Sequence, residues 1–440
     1  MTRDRQARAR SSRATPHWIA PPFASGPTAG LGCDCCGLSR RDFLQLTGLF
    51  SASLGATLAV GGCQPTQGPA QSSPAASAPA TPTAQPPVKI GYLPITDAAP
   101  LLVAHARELY QAEGLTAEKP TLFRSWPQVV EAFLARQVNV IHILMPATLW
   151  LRYGRKFPAK IVAWNHTNGS ALTVLPEIDR LEDLGGRKVA VPFWYSIHNV
   201  VLQQLLKKAG LKVVRRPKEA QVAANEVNLI VLPPPDMVSA LANKAIAGYI
   251  VAEPFNAAAE NLKTGKILRF TGDVWKDHAC CVVLMHEDDL TQHPDWAQRV
   301  VQAIVKAQHW SGENRADVAE ILSKEGGKYT PHPKAALMRA LTAYDPAVYQ
   351  AQGAITHPDW QIDRIDFQPY PFPSYTAELV RLLKETQVEG ETQFLQDLDP
   401  EWVAQDLVDD SLVKAALAAV GGPAAFRLPE NLTRKETIAL

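Results

Sequence analysis

The stretch Leu184-Gly185-Gly186-Arg187-Lys188-Val189-Ala190-Val191 reads as a glycine turn feeding a short apolar strand. Residues 196–209 follow with Ile197, Val201 and Leu205 at four-residue intervals and Gly210 as the stop, the pattern of a helix with one buried face. A strand over 228–232 comes next, then a helix carrying Met237, Ala240 and Leu241 with Asp236 as its expected cap, and 249–252 adds another strand. Strand and helix in alternation build parallel α/β sheets rather than a sandwich.

The alternation extends upstream. Val88-Lys89-Ile90-Gly91-Tyr92-Leu93-Pro94 is a β run closed by proline, and residues 98–110 read as a helix ending near Gly114. Ser125-Trp126-Pro127 reads as a helix start, with Ser125 a candidate cap, Pro127 in the first turn, and Val130, Phe133 and Leu134 on one apolar face. Strands are expected over 138–144, 160–164 and 171–175. The remainder is mostly helical, as in 294–310, where Trp296, Val300 and Ile304 share a face. No fixed-period repeat and no coiled-coil heptad is present. Open α/β sheets bind ligands at the carboxyl ends of their strands, beside helix N-termini. Those loops hold Trp126, Pro146 with Thr148 just beyond it, Tyr195, His198 and Glu253. They converge if two α/β lobes face one another, and 440 residues exceed a usual single core.

Charge is nearly balanced, 44 basic against 43 acidic residues, which argues against a nucleic-acid partner. Nothing after residue 64 is long and apolar enough to span a bilayer. Of six cysteines, four (Cys33, Cys35, Cys36, Cys63) precede residue 64 and the others are the adjacent pair Cys280-Cys281. Neighbouring cysteines rarely bridge, so the body is not a disulfide scaffold, and this pair reads as part of a buried strand over 280–285. No G-x-S-x-G, Walker loop or H-E-x-x-H pattern occurs. No catalytic residue, cofactor or metal site is expected.

The N-terminus carries Arg3, Arg5, Arg8, Arg10 and Arg13 and then Ser39-Arg40-Arg41-Asp42-Phe43-Leu44, the twin-arginine pattern of an export signal, with Arg40 and Arg41 as the pair. A mild apolar run over 43–60 ends in Val60-Gly61-Gly62-Cys63, small residues before a cysteine, which makes Cys63 the candidate lipidation site. Ordinary cleavage before an incidental cysteine is the competing reading. Residues 64–87 are almost only Pro, Ala, Ser, Thr and Gln, an extended tether. Export, with a lipid anchor on the periplasmic face of the cytoplasmic membrane, is the resulting expectation.

Residues 89–101 (Lys-Ile-Gly-Tyr-Leu-Pro-Ile-Thr-Asp-Ala-Ala-Pro-Leu), Thr167-Asn168-Gly169, Val251-Ala252-Glu253-Pro254-Phe255-Asn256 and Asp273-Val274-Trp275-Lys276-Asp277-His278 carry a family resemblance. The chain resembles the periplasmic solute-binding proteins of nitrate, bicarbonate, sulfonate and taurine ABC importers, above all the nitrate-binding members, across about residues 88–421. The resemblance implies a two-lobed periplasmic-binding-protein fold of type II, with parallel or mixed sheets flanked by helices and a ligand cleft between lobes. After the signal segment over 1–62 and the linker over 63–87, it implies the first part of lobe I over 88–171, lobe II over 172–277, and completion of lobe I with C-terminal helices over 278–440. The implied partners are a small anionic solute and an ABC permease and ATPase complex. Nitrate-binding members hold their anion with a tryptophan, a glutamine, a histidine and a lysine. The tryptophan, histidine and lysine match Trp126, His198 and Lys276, and His142 stands where the glutamine falls. The calcium-binding acid of bicarbonate relatives has no match here. Nitrate or nitrite is the ligand this implies, with sulfonate, taurine, bicarbonate or a thiamine-related pyrimidine as alternatives and a related pyrimidine-synthase enzyme as a remote one.

The chemistry of these residues suits an oxyanion. A helix N-terminus favours negative charge, and Trp126 and His198 both fall at predicted helix starts. The indole N–H is a pure donor, Lys276 supplies a full charge with three donors, and His142 donates from either nitrogen. The competing readings are plain: Trp126 as packing between helices, His142 as a core histidine, Lys276 as half of a surface ion pair. Glu253 repels an anion and reads as a structural or hinge carboxylate, although it would attract the amine of taurine. A pyrimidine would want the rings of Trp164, Trp194 and Tyr195.

Overall fold

The structure, a computed structural model, describes residues 85–217, 220–360 and 363–440. Arg40, Arg41, the cysteines through Cys63 and the tether as far as residue 84 lie outside the described residues. Strands β1 (Ile90–Tyr92), β2 (Thr121–Leu122), β3 (Val140–Leu144) and β4 (Ala159–Trp164) open a first sheet. The short β5 (Thr167–Asn168) leads out of it. Strands β6 (Ser170–Val174), β7 (Arg187–Val191), β8 (Lys212–Val214), β9 (Glu226–Val231), β10 (Gly248–Ala252) and β11 (Lys266–Phe270) form a second. Strand β12 (Cys281–His286) returns to the first sheet, and β13 (Ile365–Asp366) pairs with β5.

The first sheet has the order β2-β1-β3-β12-β4 and the second β11-β6-β10-β7-β9-β8. Both are mixed α/β sheets. β12 runs antiparallel to β3 and β4, and β6 antiparallel to β10 and β11, because these strands follow crossovers between the sheets. The carboxyl ends of β1, β3 and β4 lie at the same end of the first sheet as the start of β12. In the second sheet the carboxyl ends of β7, β10 and β11 lie with the start of β6. The two ends meet: the Thr96 amide and hydroxyl, just past β1, donate to the Glu253 carbonyl, just past β10, over 2.9 and 3.1 Å.

The glycine turn before β7 has a steric cause. A Cβ on Gly185 would sit 2.0 Å from the Ala224 carbonyl oxygen, and Gly186 takes φ +76°. Ser196 caps the helix Ile197–Lys208 by accepting from the Asn199 amide at 3.1 Å. Ser125 holds the extended N-cap backbone of the helix Trp126–Leu134, but its hydroxyl makes no cap bond. Two expectations need correction. The helix carrying Met237 begins at Pro234, so Asp236 lies within its first turn, where its charge complements the dipole, and Pro233 takes the cap position. The helix expected over 98–110 is two, Ala99–Ala106 and Leu109–Ala112, because Glu108 takes a left-handed φ of 57°. Trp296, Val300 and Ile304 are buried on the helix Pro294–Glu313, which packs on Ala99–Ala106. Among the described residues no helix is long and apolar enough to cross a membrane.

Candidate functional site

Trp126 is the first residue of its helix and His142 the middle residue of β3, and both are buried. Their rings meet edge to face, 5.4 Å between centroids at 82°. Neither Trp126 Nε1 nor either nitrogen of His142 has a hydrogen-bond partner in the protein. Burial, reinforced by the charge of His166, pushes His142 down to about 3, so its ring is neutral. Leaving a buried donor unpaired costs about 1–3 kcal/mol, and native structures tolerate few such groups. Two at one contact mark a place where a ligand gains by supplying acceptors.

Beside this pair lies a cluster of titratable groups. His198, second residue of its helix, sets Nε2 2.9 Å from Ser170 Oγ at the start of β6 and 3.8 Å from Cys280 Sγ. Cys280 Sγ lies 3.9 Å from Cys281 Sγ, at the start of β12. Burial alone would raise the Cys280 thiol, but the Cys281 thiol, His198 and His166 outweigh it and hold Cys280 well below its ordinary value. Burial and the neighbouring sulfur push Cys281 well above its own. Asp97, in the turn after β1, brings Oδ2 within 2.8 Å of His166 Nε2, just past β4. The contact is a charge pair rather than an aligned hydrogen bond, since Oδ2 receives no well-directed donor. Burial lifts Asp97 to about 6. Burial would lower His166, but the Asp97 charge overrides it and holds the imidazole up at about 10. His278 bonds to Thr271 Oγ1 at 2.8 Å and is pushed by burial down to about 4.

The remaining candidates stand apart. Lys276 is exposed; its amide donates to the Thr437 carbonyl at 3.0 Å, and it lines a groove of about 340 Å³ with Asn168, Asp277, Trp360, Asp366 and Arg434. Glu253 is buried against Arg364, 2.6 Å from Nη2, and accepts from the Ala257 amide at 3.0 Å. Burial still lifts its carboxyl above the ordinary value against the pull of Arg364. Thr148 donates to the Met145 carbonyl at 2.6 Å. Tyr195 stacks with Trp150 and Phe394, and its hydroxyl has no partner. Trp164 packs on Tyr375 and Phe372, and the Trp194 indole donates to Glu389 at 2.7 Å, so the three rings suited to a pyrimidine each have protein partners.

The structure therefore joins Trp126 to His142 and places His198 at Cys280, while Lys276 opens onto a different groove. Sequence reading passed over Asp97 and His166 and took Cys280 only as part of a buried strand. The available signal was positional: an acid, a histidine and a cysteine each one to five residues beyond the same end of one sheet.

Residues 81–323 match the model of the NMT1-like family, more than half of the chain. The chain is 29% identical over 322 residues to the nitrate/nitrite binding protein NrtA of Nostoc sp., covering 65% of this chain and 70% of that one. It is 28% identical over 239 residues to the nitrate import ATP-binding protein NrtC of Synechocystis sp., covering 51% of this chain and 35% of that one. Among solved structures, the periplasmic nitrate-binding protein NrtA from Synechocystis aligns with a TM-score of 0.67 at 22% identity, over 81% of this chain and 94% of that one. That likeness shows the periplasmic-binding-protein fold.

Proposed function

The chain belongs to the NMT1-like family, and from that premise we propose that it is the extracytoplasmic substrate-binding protein of an ABC importer. It captures a small oxyanion, nitrate or nitrite, between two lobes and delivers it to a membrane permease, without catalysis. The observation that carries the ligand class is the Trp126–His142 contact, where buried donors face each other with no protein acceptor. A planar oxyanion brings acceptors in several directions. Charge-assisted hydrogen bonds to it contribute about 1.5–3 kcal/mol each. His198, at the N-terminus of a twelve-residue helix, adds a donor and a favourable dipole end. Neither nearby carboxylate presents a free charge to an anion, because Asp97 is paired with His166 and Glu253 with Arg364. The same pairing weighs against taurine, whose amine would want a free carboxylate. The names of the relatives support the reading: a nitrate/nitrite binding protein and a nitrate import ATP-binding protein.

The test is a melting-temperature screen of the full-length chain against nitrate, nitrite, bicarbonate, taurine and hydroxymethylpyrimidine. A ligand at one hundred times its Kd stabilises the fold by about 2.7 kcal/mol. Nitrate or nitrite should shift the melt. A shift with one of the other three alone would discard the oxyanion assignment and keep the receptor role. Hinge closure on the ligand presents the loaded form to the permease. The export signal at Arg40-Arg41 and a lipid on Cys63 would hold the receptor at the periplasmic face of the cytoplasmic membrane. Cys63→Ser should move the chain from the membrane fraction to the soluble periplasmic one, and unchanged membrane retention would refute the anchor.

A further inference from the structure

We propose a second site in this protein: a closed, four-ligand site for a thiophilic divalent cation such as zinc, built from Asp97, His166, Cys280 and Cys281. One ligand atom from each of the four lies within 4.8 Å of all the others, and all four side chains are buried. Two thiolates, an imidazole and a carboxylate form the donor set of tetrahedral zinc, whereas calcium and magnesium want oxygen throughout. The spacing agrees. Two sulfurs each about 2.3 Å from a tetrahedral zinc lie roughly 3.8 Å apart, and Cys280 Sγ and Cys281 Sγ are 3.9 Å apart. His166 Nε2 and Asp97 Oδ2, at 2.8 Å, are closer than the roughly 3.3 Å the same geometry gives, so the ion would part them slightly. Asp97 Oδ2 is fully buried and receives no aligned hydrogen bond, its ion-pair partner being the His166 ring that would share the ion.

The fold explains why four residues distant in sequence meet. Asp97 follows β1, His166 follows β4, and Cys280 and Cys281 bracket the start of β12, all at the end of the first sheet that meets the second. The site therefore sits where the two sheets meet, with Asp97 and His166 preceding the strands of the second sheet in the chain and Cys280 and Cys281 following them. This inference does not rest on the oxyanion reading.

The test uses the reduced full-length chain with serine at Cys33, Cys35, Cys36 and Cys63, so that Cys280 and Cys281 are its only thiols. Cobalt(II) should bind one per chain, produce the near-ultraviolet thiolate-to-cobalt charge-transfer band, and be displaced by zinc. No band in this chain, in which every proposed ligand is intact, overturns the proposal. The band should fall to about half in Cys280→Ser, which keeps one thiolate, and vanish when Cys281 is replaced as well. If that variant fails to fold, Asp97→Asn serves instead: it keeps both thiolates and the band but should weaken zinc binding. Zinc affinity unchanged in Asp97→Asn removes the carboxylate from the site and overturns the four-ligand assignment. Nitrate binding is measured separately on the chelator-treated chain, so either result stands when the other fails.

Discussion

Two buried polar regions lie close to the meeting of the sheets, and they handle burial in opposite ways. Arg364 donates from Nε to Glu253 at 2.8 Å, from Nη1 to the Tyr349 hydroxyl at 2.9 Å and from Nη2 to Glu260 at 3.1 Å, while Glu253 also accepts from the Ala257 amide. The side chains of Trp126 and His142 are as deeply buried and make no hydrogen bond to protein. A polar group whose partners are internal specifies the fold; one without them is suited to receive a ligand.

The sharpest way to break this comparison is Arg364→Ala. It strands the buried Glu253 carboxylate, so stability should fall by about 3–5 kcal/mol in denaturant titration. An unchanged midpoint would remove the structural reading of the network. Acid is the next largest lever. His142 is held to about 3 and His278 to about 4, against an ordinary 6.5. The unfolded chain binds these protons first, so stability is lost as pH falls below about 6.5, by about 1.4 kcal/mol per pH unit for each refused proton. Asp97, raised to about 6 from 3.8, works the other way between those values and offsets part of the loss. Melting curves for His142→Gln should show a shallower acid decline than the parent, and an identical slope would refute the neutral buried imidazole.

Affinity separates the regions more finely. Trp126→Phe removes one donor and keeps an aromatic ring, so nitrate affinity should drop about tenfold, near 1.4 kcal/mol, without lowering the melt of the unliganded protein, in which that donor is unpaired. The smallest effect is expected at Lys276. Exposed in its own groove, it should contribute less than about 1 kcal/mol, in a salt-dependent way, when replaced by alanine. Abolition of nitrate binding by Lys276→Ala, with Trp126→Phe silent, would move the site to the Lys276 groove and reverse the comparison.

Much of the architecture is written locally. Gly185-Gly186, the four-residue spacing of Ile197, Val201 and Leu205, and the proline-closed run ending at Pro94 specify their elements through steric rules that act over a few residues. The alternation of those elements carries the α/β class, and motifs from Lys89 to His278 carry the family resemblance. The departures were local as well: the helix after Pro94 divides at Glu108, whose left-handed backbone no periodicity signals.

The site was legible only in part. Helix starts at Trp126 and His198 could be read from Ser-x-Pro and Ser-led patterns, because capping and proline preferences are local. Which partners those side chains meet was not readable, since strand order decides it: β12 inserts between β3 and β4 although more than one hundred residues separate it from either. That insertion brings Cys280 to His198 and Cys281 to His166, and it leaves Lys276 on the crossover facing another groove. Sequence by itself determined the elements and the class, through short-range sterics and hydrophobic period. Tertiary structure alone decided which buried groups are satisfied, because burial and pairing depend on atoms brought together from opposite ends of the chain.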